Sequence, residues 1–266
     1  MILIRACSGF DELEACVRLE IETWGYDPSD VLPRKAFLLT QKIGGQVIGA
    51  FDTEIAGGGP ESLVGFALSL PGMKISECGP RAYLHSHMLA VREAYQNRGL
   101  GARLKLEQRR DALARGIRHM EWTFDPLEIK NAHLNLHKLG TIARRYEENF
   151  YGASTSRLQG GLPTDRLVAE WELDSPRVEA ILQGRTAEER EIDARIQVPA
   201  AIYAWRASEA ERERALAVQS ENRRKFQAAF SRGLAVVGFT RDAEGNGVFE
   251  LGHLLQSDAS LESQGK

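Results

Sequence analysis

Apolar residues in the first half of the chain recur with two periods, and each change of period marks a new element. Ile2-Leu3-Ile4 is a short apolar run that reads as a first strand. From Phe10 to Trp24 the apolar side chains fall at Leu13, Val17, Ile21 and Trp24, a spacing that predicts a helix with one buried stripe. A second helical stretch covers about 30–42, with Pro33 tolerated in its first turn. Gln46 to Asp52 and Ser62 to Leu70 read as consecutive antiparallel strands, joined by the exposed turn Gly57-Gly58-Gly59-Pro60. A looser loop, Pro71 to Pro80, leads into a strand at 82–91, a helix at 102–116 and a strand at 119–124.

After Asp125-Pro126 the spacing predicts a helix from about 129 to 139, stopped by Gly140, and further strands near 145–151 and 166–173. From about 176 charged residues become denser. A long helix at 208–232 is expected to turn Leu216, Phe226 and Phe230 inward, and two short strands at 234–240 and 247–251 surround the turn Ala243 to Gly247. This helix and hairpin are too small to fold alone, so they are expected to pack on the preceding domain or against a second subunit. The expected division is therefore 1–175, an extension at 176–255 and a polar, disordered tail at 256–266.

Composition narrows the function classes. With 43% hydrophobic and 27% charged residues in a chain of 266, the protein has the make-up of a globular domain with a substantial core. A net charge of −3 argues against nucleic acid as a partner. No apolar run approaches the roughly 20 residues of a membrane span, and the start of the chain does not resemble a signal peptide. Cys7, Cys16 and Cys78 show no paired spacing, which fits buried thiols in a reducing cytoplasm better than disulfides or a metal site. No metal cofactor is expected.

One stretch carries chemistry. Gln96-Asn97-Arg98-Gly99-Leu100-Gly101 lies between a strand and a helix, where free backbone N–H groups and the positive end of the helix dipole face an anion. Glycine allows the tight turn and close approach of a phosphate. A dinucleotide fingerprint is ruled out because position 104 is Leu, and no P-loop occurs. The residues Leu89-Ala90-Val91, four more, then Q-x-x-G-x-G opening a helix resemble motif A of the GNAT superfamily of acyl-CoA-dependent N-acyltransferases.

That resemblance covers roughly residues 1–173 and implies an α/β (α+β) fold, with a central mixed, mostly antiparallel sheet flanked by helices. Its downstream half, including Asp125-Pro126-Leu127 and Pro163-Thr164-Asp165-Arg166, looks like a bacterial subgroup of predicted acetyltransferases. Acetyl-CoA is the implied donor, with succinyl-CoA an alternative. The implied acceptor is a small-molecule amine or amino acid; a homodimer is compatible with it. A non-catalytic acyl-CoA sensor and a protein side-chain acetyltransferase are the other readings.

The resemblance also assigns candidate roles. Gln96, Asn97, Arg98, Gly99, Leu100, Gly101 and Ala102 would hold the coenzyme pyrophosphate, and Met88, Leu89, Ala90 and Val91 would supply the backbone N–H that polarises the acyl carbonyl, Leu89 or Ala90 above all. Asn131 and Asn135 would lie against the pantetheine arm. His85 lies eleven residues before Gln96, the spacing of the general-base glutamate in the histone-acetyltransferase branch, and His87 is the second candidate base. Strand alternation would put His85, His87, Leu89 and Val91 on one face. The family's usual proton donor to the thiolate is a tyrosine; here that position is Leu136, which leaves Tyr146 and Tyr151 as candidates, beside water. Glu22, Trp24 and Tyr26, with Trp122 and Phe124, are the candidates for the acceptor pocket.

Overall fold

The computed structural model describes residues 1–55, 59–76 and 79–258; the side chains of Ser76 and Arg157 are outside the description. Two compact units emerge: Met1–Met120 with Thr155–Arg157, and Glu121–Ser154 with the chain from Leu158 onward.

In the first unit, strands β1 (Ile2–Ala6), β2 (Gln46–Asp52), β3 (Leu63–Ser76) and β4 (Gly79–Val91) pair antiparallel in that order. Helices α1 (Gly9–Trp24) and α2 (Arg34–Lys42) pack on one face. Their core joins Leu13, Phe37 and Phe66 to Met88 and Ala90. Helix α3 (Leu100–Ala114) covers the other face, where Leu100 and Leu104 meet Ala67, Leu89 and Val91. Burying such side chains contributes roughly 1.5–3 kcal/mol each.

Three expectations change here. Helix α2 starts at Arg34, because Pro33 adopts extended angles at the N-cap. The segment 71–80 is strand rather than loop: β3 and β4 form one long hairpin, with Pro71 opposite Leu84. Its pairing with β2 ends at Gln46 opposite Ser69, so beyond Ser69 β3 has an edge free of β2 that tolerates a proline. Helix α3 begins two residues early, at Leu100, which is buried. Gly57 and Gly58 lie outside the described residues.

In the second unit, strand β5 (His119–Phe124, entering from the first unit), β7 (Arg166–Glu172), β6 (Ile142–Glu147), β9 (Ala235–Arg241), β10 (Gly247–Gly252) and β8 (Ala194–Val198) follow one another across the sheet. Helix α4 (Ile129–Ala132) runs on into a π-helical turn at His133–Lys138. Helices α5 (Pro176–Leu182), α6 (Ile202–Ala207) and α7 (Arg212–Ser231) complete the unit. β6 starts earlier than its spacing suggested and ends before Asn149, whose left-handed backbone turns the chain.

Phe226 of α7 is fully buried, stacked on Tyr146 and edge-on to Phe249. Leu216 is exposed, contrary to expectation, and Phe230 is half-buried. The inward stripe is Ala215, Gln219, Asn222, Phe226 and Ala229. Gln219 and Asn222 belong inside because their amides donate to the carbonyls of Pro163 and Gln197. Residues 256–258 are ordered, since buried Asp258 accepts from Arg190 at 2.7 and 2.9 Å. No helix among the described residues is long and apolar enough to cross a membrane.

Cys7 and Cys16 are buried thiols with sulfurs 3.8 Å apart, beyond bonding distance, and Cys78 lies outside the described residues. On the same helix α1, Glu20 is fully buried and accepts from the Leu32 N–H at 2.8 Å. Its second oxygen has no partner among the described residues. Desolvation pushes its pKa up to about 7, against the opposing effect of the Leu32 N–H. The folded state thus holds a proton that the unfolded chain releases near the ordinary glutamate range. Stability from this site is full at pH 4 and is lost as pH rises through 7. Glu20→Gln keeps an acceptor for Leu32 and removes the charge. Thermal unfolding is expected to show the variant more stable by about 2 kcal/mol at pH 8 and unchanged near pH 4; a gain independent of pH would contradict the assignment.

Candidate functional site

β4 contains an extra residue. Its pairing with β3 runs Val91–Gly65, Ala90–Phe66, Leu89–Ala67 and Met88–Leu68, then jumps to Ser86 opposite Ser69, which leaves His87 as a β-bulge. The bulge shifts the side-chain phase. Leu89 and Val91 pack on the α3 side, as does Ser86, which bonds to α3 residues, while Met88 and Ala90 face α1 and α2. The expected alternation, with His85 and His87 sharing a face with Leu89 and Val91, is therefore broken at His87. His85 lies opposite Leu70, which packs against the α1–α2 core. The His85 and His87 rings are 6.2 Å apart.

Register also sets which way each N–H group of β4 points. The Arg92 N–H donates to the Val64 carbonyl of β3 at 2.9 Å. N–H directions alternate along an antiparallel strand, so those of Ala90 and Met88 point toward β3 and those of Leu89 and Val91 point away. Leu89, not Ala90, has its N–H directed away from the hairpin, close to the bulge. His87 is an exposed residue, and the protein packed near its ring lowers its pKa by desolvation. Its neutral, proton-accepting form is thereby favoured.

Beyond Arg92 a short 3-10 turn, Glu93–Tyr95, leads to the glycine motif. Asn97 (φ 59°) and Gly99 (φ 76°) are both left-handed, and Gly99 is the N-cap of α3. Left-handed residues around Arg98 fold the main chain into a concave arc of N–H groups, and the first-turn N–H groups of α3 continue it. Among the described residues, no backbone carbonyl outside the helix accepts from Asn97, Arg98 or Gly99. A Cβ built on Gly99 would meet nothing within 4 Å, so the space beside that residue is open. The turn is braced around its rim. The Gln96 amide donates to the Val91 carbonyl at 2.9 Å, Tyr95 donates to Asp52 at 2.7 Å, and the Arg98 guanidinium lies over the Tyr95 ring. Arg103 donates to the Ile2 carbonyl at 3.1 Å. Gly101 and Ala102 lie in the first turn of α3. An arc of N–H donors at a helix N-terminus with room beside Gly99 fits a pyrophosphate.

The candidate acceptor residues divide. Trp24 and Tyr26 stack at 5.8 Å, and the carboxylate of Glu22 pairs with Arg92 at 3.1 Å, at the end of β4. The loop after α1 is tied down by Thr155, which donates through its backbone and hydroxyl to Asp30 and accepts from the Asp27 N–H. In the second unit, Trp122 and Phe124 are buried, with Trp122 edge-on to Trp171, so they serve the core.

Of the other second-unit candidates, Asn131 is exposed and Asn135 is buried. Leu136, at the tyrosine position, is buried and offers no hydroxyl. Tyr146 donates its proton to Asp165 at 2.7 Å; burial and then that bond push its pKa upward. Asp165, itself fully buried, also accepts from Arg223 and from the Asn149 N–H. Tyr146 is thus a poor proton donor to a thiolate, and its hydroxyl belongs to the packing of α7. Tyr151 shares a hydrogen bond with Thr123 at 2.9 Å. His133 and His137 stack at 4.6 Å, and desolvation, then the neighbouring His137, push His133 down to about 4. No group of three or more metal-ligating side chains is found among the described residues.

Sequence reasoning missed the polar cluster beneath α3, where Lys105 and Gln108 are buried against Ser86 and Ser69. A signal existed: both lie on the helix face that carries Leu100, Leu104 and Ala112.

Residues 13–140 match the family described as the acetyltransferase (GNAT) family. No curated protein matches the chain in sequence. Among solved structures, Arabidopsis thaliana NAA60 in complex with acetyl-CoA is similar in fold, with a TM-score of 0.52 at 17% identity over 65% of this chain and 99% of that one. The ribosomal-protein-S18-alanine N-acetyltransferase from Escherichia coli has a TM-score of 0.48 at 15% identity, covering 72% of this chain and 99% of that one. The motif turn and the bulged strand before it both lie within the stretch, residues 13–140, that matches the acetyltransferase (GNAT) family.

Proposed function

We propose that the protein moves an acetyl group from coenzyme A to the amine of a small molecule or amino acid, by direct attack with both substrates bound. The observation that carries this reading is the arc of N–H groups from Asn97 to Ala102 at the head of α3, with open space beside Gly99. The coenzyme would supply the activated thioester. The arc holds its pyrophosphate by charge-assisted hydrogen bonds, each contributing roughly 1.5–3 kcal/mol. The Leu89 N–H polarises the acyl oxygen, a role that in other oxyanion holes contributes about two to three orders of magnitude in rate. His87, kept neutral by desolvation, takes the proton from the acceptor ammonium, and His85 stands beside it. Sequence spacing favours His85 for this task; the bulge and the lowered pKa favour His87. Solvent returns the proton to the thiolate, whose ordinary pKa near 8.5 makes it a tolerable leaving group. Trp24 and Tyr26 would wall the acceptor side.

A second reading, an acyl-CoA sensor without turnover, is favoured by the buried Leu136 where relatives in the resembled family carry a tyrosine hydroxyl. Thiol release from acetyl- or succinyl-CoA with a panel of amines separates the two. Turnover with any amine supports the enzyme, and tight coenzyme binding with no release supports the sensor.

Two variants test the roles. Gly99→Glu puts a carboxylate into the arc, and calorimetry is expected to show coenzyme affinity reduced at least 100-fold; Gly99→Ala adds only backbone strain of about 1 kcal/mol. Equal coenzyme affinity in wild type and Gly99→Glu would remove the phosphate site. For His87, the acid limb of the rate profile should lie below pH 6.5, since its pKa is lowered, and should vanish in His87→Gln with a rate loss of about 100-fold. A limb that persists in the variant would assign the base elsewhere.

A further inference from the structure

Helix α3 grips β4 on both sides of the bulge. On the side toward the glycine turn the grip is apolar, Leu100 and Leu104 against Leu89 and Val91. On the other side it is polar and fully buried. Ser86 and Ser69 are the first facing pair past His87. Gln108 bridges them: its amide oxygen accepts from the Ser86 hydroxyl at 3.0 Å, and its NH₂ donates to the Ser69 hydroxyl. Lys105 donates to Ser86 at 2.7 Å. Ser69 donates onward to Gln46 at 2.9 Å, and the Gln46 amide donates to the Gln108 carbonyl and to Asp111. Each side-chain nitrogen and oxygen of Ser69, Ser86, Lys105 and Gln108 has a partner, with Ser69 and Gln108 wholly shut off from solvent.

Such a cluster is a costly way to fill a core. Burying amides, hydroxyls and an amine contributes less to stability than apolar packing of the same volume. What a satisfied polar network provides is a single geometry. Here the geometry it fixes is the position of an extra residue. If β4 slipped by one residue, Ser86 would leave the α3 face, and Gln108 and Lys105 would both lose their bond to β4 while Ser69 stayed in place on β3. The same helix carries the phosphate arc at its N-terminus.

We infer that Gln108 is a positioning residue, whose bridge between Ser86 and Ser69 holds the β4 bulge in fixed register with the arc at the head of α3. The catalytic part of this inference rests on the acetyl-transfer reading above; the mechanical part does not. In that reading α3 sets the spacing between the group that holds the phosphates and the Leu89 N–H that meets the acyl oxygen. Misplacement by about 1 Å can lower a rate by roughly 100-fold while binding is preserved.

The test uses the full chain and three variants: Gln108→Leu, Ser86→Ala and the hydroxyl-preserving Ser86→Thr. Amide hydrogen exchange is read over 86–90 and over 97–103, with coenzyme A affinity by calorimetry and thiol release by kinetics. In Gln108→Leu and Ser86→Ala, exchange over 86–90 is expected to quicken at least tenfold. Coenzyme affinity should stay within threefold and the turnover rate fall roughly 10- to 100-fold. Ser86→Thr should restore exchange and rate. Unchanged exchange over 86–90 overturns the inference, as does a rate loss matched by the loss of coenzyme affinity. If Gln108→Leu fails to fold, Ser86→Ala, which removes one oxygen, decides the matter. If the wild type binds no coenzyme, the functional reading fails, and the exchange of 86–90 still judges the positioning claim.

Discussion

A strand with one residue too many is unstable in its register unless something outside the ladder pins it. In β4 that residue is His87, and the pins are the contacts of α3 before and after it. Most of the features that bear on chemistry in the first unit follow from this arrangement. The bulge turns Leu89 and Val91 to the α3 side and brings Met88 and Ala90 into the core with α1 and α2. The pairing of Arg92 with Val64 then directs the Leu89 N–H away from the hairpin. The chain leaves β4 at a fixed point, turns through Asn97 and Gly99, and re-enters the sheet's cover as α3.

The order of elements up to β7 was legible because it rests on local signals. Leu13, Val17 and Trp24 keep helical spacing, Gln46 to Asp52 has a strand's composition, and Gly99 and Gly101 mark a turn whatever lies around them. Errors arose where a distant partner decides. Pro71 reads as a loop residue until the end of the β2 ladder is known. Leu216 reads as a core residue until the carbonyls of Pro163 and Gln197 claim Gln219 and Asn222 for the inner face of α7. The strand β8 and helix α6 are five and six residues long, an apolar stretch too short for either period to stand out.

The candidate site was legible in part for the same reason. A phosphate arc is built from backbone, and glycine announces it. A bulge has no composition of its own, and neither histidine reveals that β4 gains a residue between Ser86 and Met88. Tyr146 illustrates the opposite error, a residue whose chemistry suits a role that its surroundings deny. Asp165 and Phe226 hold it for packing, and only three-dimensional neighbours disclose that.

The most direct test of the account is a crystal structure of the protein with acetyl-CoA bound. The account predicts pyrophosphate oxygens within hydrogen-bonding distance of the N–H groups of the 97–102 arc, and the thioester oxygen against the Leu89 N–H. Coenzyme bound away from the arc, or an acyl group remote from Leu89, would contradict it.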